Sequence, residues 1–293
     1  MAISYAHLGV RHARALLNDI TACGVEPPTV LTELVAAFDD LQLAATSKDH
    51  PTTELVNAVA GGKLRGAALD KQIAAAAAAT QVQEFRRNLQ ARVEPAVVRH
   101  LIKALDEGGA ADAIIDSLRQ PFDKAVTALR ECAELVDFGA NPEQFLAGAT
   151  SEQIQAWQAI DEHVATLTRI SSAVTHFGPQ STTFPLMELP GTVGSDVAFI
   201  NNNGTLCVDP EYGIARGSEL FQNHGTHRNS PWFKGASVLK LNTIAEAREK
   251  IRAWAESAWA GITINQGRGR IDPEHAFIPE PVANPFALTE PEG

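Results

Sequence analysis

The sequence predicts a mainly α protein. An antiparallel bundle of long helices with coiled-coil-like hairpins occupies residues 1–178, a small α+β unit 179–260, and a disordered, Pro-rich tail 261–293. Three observations carry this. Apolar residues recur at steps of three and four through most of the first part, the period of a helix with one buried face. Alanine, the strongest helix former, is concentrated there, whereas most of the 16 prolines lie beyond it. The period then changes: short apolar runs flank Asn203-Gly204, a dipeptide that tolerates positive φ and favours a hairpin.

A first helix, 5–23, is stopped by Gly24 and the Pro27-Pro28 pair. The second, 29–45, places Leu31, Leu34, Phe38, Leu41 and Ala45 on one face. A short third helix, 52–60, ends at Gly61-Gly62, glycine being suited to the left-handed position after a helix. Residues 66–107 form the longest segment. Leu69, Ile73, Ala76, Val82, Phe85, Leu89 and Val93 make a seam that Val97, Leu101, Ile102 and Leu105 continue. Pro95 is expected to kink or break it, because proline lacks an N–H and clashes with the preceding turn. The part before Pro95 reaches roughly 40 Å at about 1.5 Å per residue.

Residues 110–138 return with Ile115, Leu118, Phe122, Leu129, Ala133 and Val136. After a turn of helix at 142–146, Thr150 and Gln153 form a capping box for a helix ending at Phe177, whose apolar steps approach a coiled-coil seam. Beyond it, 196–200 and 205–208 read as two strands about the Asn-Gly turn, and 237–241 as a third. Residues 244–258 read as a covering helix capped by Asn242 or Thr243. Between them, 209–235 is a long polar loop. From 261 no periodicity remains.

Composition excludes several functions. With 24 basic and 35 acidic side chains the formal charge is −11, against a broad nucleic-acid or anionic-membrane surface. No run of 18 apolar residues is present, so no membrane span is expected. Three widely spaced cysteines, Cys23, Cys132 and Cys207, and the lack of a secretion signal point to a reducing, cytoplasmic setting.

Few motifs carry chemistry. His224-Gly-Thr-His227, with Cys207 upstream, supplies metal-ligand residue types, although Gly225 disfavours a helical i, i+3 presentation; the alternative is a pair of solvated loop histidines. Arg86, Arg87, Arg92, Arg99 and Lys103, joined by His100, give a basic stretch diluted by Glu84, Glu94 and Asp106. It fits either a nucleic-acid adaptor or a solvated helix face. Trp232 and Phe233, in the polar loop, either tie it to the core or contact a partner. Phe277 and Phe286, in the tail, suit an extended docking peptide. Gly61-Gly-Lys63 lacks the hydroxyl residue and the strand of a phosphate loop. No catalytic residue and no cofactor are indicated.

An alanine-rich helical half in which arginine outnumbers lysine across the chain, a small Asn-Gly-turned unit and a Pro-rich acidic tail together resemble the structural and assembly proteins of bacteriophages that infect high-GC actinobacteria. The resemblance implies a virion or head-assembly component acting through protein–protein contacts. The helices agree with that expectation: the longest would match or exceed the roughly 40 Å diameter of a compact domain built from residues 1–178. Self-association or docking on other assembly subunits would cover its seam. A metal-dependent enzyme or binding domain around His224 and His227 is the alternative, and a nucleic-acid adaptor using the 86–103 stretch is a second.

Overall fold

The computed structural model describes residues 8–45, 51–60, 66–136, 139, 141–187, 189, 200–222, 225–266, 269–271 and 277–279, with backbone only for 51–54 and from 258 onward. Its architecture is mainly helical. The first part comprises α1 (Val10–Ala22), α2 (Thr29–Ala45), α3 (Pro51–Ala60), α4 (Ala67–Leu105), α5 (Ala110–Leu135), α6 (Pro142–Gly148) and α7 (Ser151–Val174). The second comprises α8 (Asn202–Leu206), α9 (Ile214–Leu220), α10 (Pro231–Lys234) and α11 (Ile244–Gln266).

The first helix begins at Val10, later than expected, and the Gly61-Gly62 stop lies outside the described residues, but the capping box expected for α7 forms. Thr150 Oγ1 accepts from the Gln153 amide at 3.3 Å, and Gln153 Oε1 accepts from the Thr150 amide at 2.9 Å, closing the capping box of α7. Gln153 Nε2 also reaches the Leu135 carbonyl at 3.3 Å, which fixes the start of α7 at the end of α5 and makes the two antiparallel. Pro95 does not break α4. Both Pro95 and Ala91, whose carbonyl loses its partner there, are exposed, so water can take over the missing bond. The neighbouring Glu94 accepts from the Val10 amide at 3.1 Å and caps α1.

Buried side chains from both parts merge into a continuous core running from Val10 to Ile251, with Leu118, Phe122 and Leu129 of α5 and Ile160, Leu167 and Ile170 of α7 at its centre. Charged groups of α5 hold the second part in place. Arg119 donates to the Leu241 carbonyl at 2.7 Å and Arg130 to the Ala236 carbonyl at 2.7 Å. Asp112 accepts from the Ile244 amide at 2.8 Å and so caps α11.

The α+β unit is corrected. Among the described residues of 179–260 no strand forms. Where a hairpin was expected, Asn201 Oδ1 accepts from the Gly204 amide at 2.6 Å and starts helix α8; residues 196–199 of the expected first strand lie outside the described residues. Asparagine side chains serve N-caps as readily as turns, and an apolar run of four or five residues does not declare its own period. One trace of pairing survives, an isolated antiparallel bridge between Val208 and Leu239. The 237–241 segment is otherwise a 3-10 turn leading to that bridge. The long loop is also more structured than expected, since it contains α9, α10 and two further 3-10 turns. Past residue 260, α11 continues to Gln266, and β1 (Gly269–Ile271) pairs antiparallel with β2 (Phe277–Pro279).

Candidate functional site

The longest helix is also the most unusual. α4 packs along α2 and α3, and it does so with the wrong residues. Toward the body it turns Ala76, which is buried, and Gln83, Arg86 and Gln90, which are half-buried. Arg86 spends its guanidinium on the Ala44 carbonyl at 3.2 Å, and Gln83 Oε1 is buried with no hydrogen-bond partner. Val82, Phe85 and Leu89 point away and are 48%, 66% and 37% exposed. Steps of three and four put these side chains on one face of the helix. A helix serving only its own core does the reverse, with the apolar stripe in and the amides out.

The exposure is regional. Leu43 of α2, Val56 and Val59 of α3 and Ile73 of α4 are also exposed, and among the described residues Leu146 is the sole large apolar side chain exposed outside α2, α3 and α4. Covering what remains exposed of each such side chain gains on the order of 1 kcal/mol, so the stripe is a substantial unused attraction.

The basic stretch divides: Arg92, Arg99 and Lys103 fall within roughly 40° of one another round the helix and are exposed, whereas Arg86 and Arg87 lie elsewhere. Arg86 is turned inward, Lys103 pairs with Glu107 at 3.5 Å, and Arg87 lies roughly 140° round the helix from Arg92.

In the second part, His227 adopts φ 53° at the start of a 3-10 turn. Its Nε2 meets the Trp157 carbonyl at 2.9 Å, and its ring lies 4.6 Å from the Trp157 ring, with Arg228 5.2 Å above the same indole. The imidazole ties the loop to α7. Cys207 is fully buried, and burial pushes its thiol up to about 12. His224 lies outside the described residues, and among those described no group of three potential metal ligands is formed. Trp232 and Phe233 are buried, and the Trp232 indole donates to Thr168 Oγ1 at 3.1 Å and meets Phe221 edge-on. As partner contacts these two are corrected: they are the loop's anchors. Phe277 is described in backbone only, within β2, and Phe286 lies outside the described residues.

No known family model matches this chain. Neither does any curated protein or solved structure. None of the described helices is long and apolar enough to cross a membrane.

Two polar clusters were not singled out in the sequence. Asp19 Oδ2 meets His176 Nε2 at 2.8 Å, and His176 Nδ1 meets Thr183 Oγ1 at 2.8 Å. This chain of carboxylate, imidazole and hydroxyl is spent on architecture. Thr183 Oγ1 also bonds Ser181 Oγ and the His176 carbonyl, fastening the segment after α7 to α1.

The second is a knot around Lys250. This residue is only 5% exposed, and its Nζ donates to the Gly204 carbonyl at 2.7 Å and the Val208 carbonyl at 2.8 Å. Asn242 Nδ2 donates to Thr205 and Val208 carbonyls, and the Asn242 amide to that of Leu206. Together they satisfy the carbonyls at the buried end of α8, which a five-residue helix cannot satisfy itself. An open cleft of about 590 Å³, lined by Tyr212, Ile214, Arg216, Glu249, Lys250 and Trp254, adjoins the knot. The lysine's hydrogen bonds run to backbone carbonyls, which makes it a fastening. The sequence signal was available: Lys250 follows Ala247 by three residues, on the apolar face of α11.

Burial lowers the Lys250 ammonium from 10.5 to about 8. A lysine with a depressed folded value binds fewer protons than its unfolded counterpart between those limits, so stability rises with pH there. The thiols act oppositely. Burial raises Cys23, Cys132 and Cys207 above 9.0, so stability falls once unfolded thiols ionise. Relative to Lys250→Met, the wild-type chain should gain about 1 kcal/mol in urea unfolding between pH 8 and 9; within wild type the ionising unfolded thiols partly offset this rise and then reverse it. Lys250→Met should abolish the rising limb.

Proposed function

We propose that the protein is a non-enzymatic assembly component whose working surface is the outward face of α4. The observation that carries this reading is the inverted burial of that helix: Val82, Phe85 and Leu89 outside, Gln83 and Arg86 inside. An apolar stripe kept in water at the expense of a buried, unpartnered amide oxygen is shaped for another protein. The resemblance to actinobacteriophage structural proteins supports a place among virion or head-assembly subunits. Neither the metal-dependent reading nor the nucleic-acid reading draws comparable support, since His227, Cys207 and Arg86 are each engaged within the fold.

The test uses an apolar dye at nanomolar protein, where a weakly held partner copy is absent. The wild-type chain should bind 1-anilinonaphthalene-8-sulfonate, and the triple variant V82Q/F85Q/L89Q should bind much less. Glutamine keeps helix propensity, so the variant should melt within about 2 °C of wild type. Equal dye binding by both proteins, or collapse of the variant's melting temperature, would overturn the reading.

A further inference from the structure

We propose that the occupant of this face is a second copy of the same chain, with the two α4 helices antiparallel and a two-fold axis passing at Phe85. The proposal rests on the interaction reading above and names its partner.

The stripe is self-complementary. A closed pair requires one surface to match itself under two-fold rotation. With the axis at Phe85, each residue of one helix lies level with the residue equally far beyond Phe85 in the other. The two Phe85 rings then meet on the axis, and Val82 of one copy falls within one residue of Leu89 of the other. A smaller side chain thus faces a larger one on each side of the axis. Further out, the alanine tract Ala74–Ala79 comes level with 91–96 of the other copy, where its small side chains admit the stem of Arg92.

Charge agrees with the same axis. Helical spacing places Asp70, Gln81, Asn88 and Arg99 along one shoulder of the stripe, and all four are exposed. In a two-fold pair like shoulders meet. Asp70 then comes within one residue of Arg99 from the other copy, and Gln81 within one residue of Asn88. Opposite charges and paired amides at such flanking positions select the antiparallel orientation. A parallel pair would instead set this shoulder against the opposite one and bring neither of these matches together. The outward side of α4 also stays open along the helix, since Arg92, Arg99, His100 and Lys103 are exposed, so the second copy meets no wall of the first.

Area sets the strength. The overlap from 70 to 100 is roughly 46 Å long, and with a helix width of about 10–12 Å it offers on the order of 500 Å² per copy. A stable interface buries about 800 Å² per partner. The pair is therefore weak and concentration-dependent, held by Phe85 at its centre.

Sedimentation velocity of the full chain from nanomolar to tens of micromolar should show the mass moving from one chain to two, with Phe85→Glu held at one. Orientation is read by cross-linking in a Cys23→Ser background. A Gln81→Cys protein mixed with an Asn88→Cys protein should form the mixed disulfide, while either protein alone should not couple to itself. Three outcomes would overturn the proposal. A wild-type chain that stays single at tens of micromolar while the dye result holds leaves α4 as the docking face of a different protein. Association that survives Phe85→Glu places the contact elsewhere. A mass that doubles with no mixed disulfide between the Gln81→Cys and Asn88→Cys proteins rules out the antiparallel register.

Discussion

Replacing Asn242 with leucine should lower the unfolding free energy by about 3 kcal/mol, one of the two largest losses expected from a single side chain here. Asn242 is fully buried, and its Nδ2 supplies the Thr205 carbonyl at 3.0 Å and the Val208 carbonyl at 2.7 Å. Leucine fills similar space and offers neither proton. The Val208 carbonyl keeps Lys250, but that of Thr205 is left beside an apolar surface, where an unmet acceptor costs about 1–3 kcal/mol. Loss of the polar clamp also loosens the link from α8 to α11. Urea denaturation should show a lower midpoint with an unchanged slope; a midpoint within error of wild type would show that the carbonyls find other donors.

The second large effect is expected at Gly204. α8 and α9 cross so closely there that a methyl group on Gly204 would stand 2.5 Å from the Ser218 amide nitrogen and 2.7 Å from the Gly217 carbonyl carbon. Both are backbone atoms, so no rotamer change relieves the overlap and the helices must part. Gly204→Ala should therefore cost about 3 kcal/mol or more, at the upper end of overpacking penalties. Gly148 at the end of α6 is the internal control: nothing lies within 4 Å of an added methyl there, and its substitution should be neutral or slightly stabilising. Thermal unfolding of the two variants side by side decides the matter. Equal melting temperatures would mean that the close crossing is not needed.

Gly204 also shows where sequence reading succeeds and where it stops. The long helices were legible because their ends are written in strong local chemistry. Thr150 and Gln153 start α7, and α2 spans 29–45 as its period says. Asn203-Gly204 carries an equally strong local signal for a turn, yet its glycine serves a contact with Gly217 that is distant in sequence and has no local signature. The apolar seam of α4 was likewise readable as a seam. Its exposure was not, because periodicity identifies which residues share a face and is silent on which face the neighbours cover. Of the loop candidates, His227 and Trp232 proved to be fastenings for the same reason, since their partners Trp157 and Thr168 sit on α7, and Phe233 joins the core.

Cys207 gives the fold an internal gauge. Its sulfur is sealed from solvent and held as a protonated thiol, so an alkylating reagent reaches it only in molecules whose α8 region has opened. Cys23, part-exposed at the end of α1, supplies a reference rate in the same chain. The ratio of the two labelling rates reports how often the buried junction unlatches, with no residue introduced for the purpose.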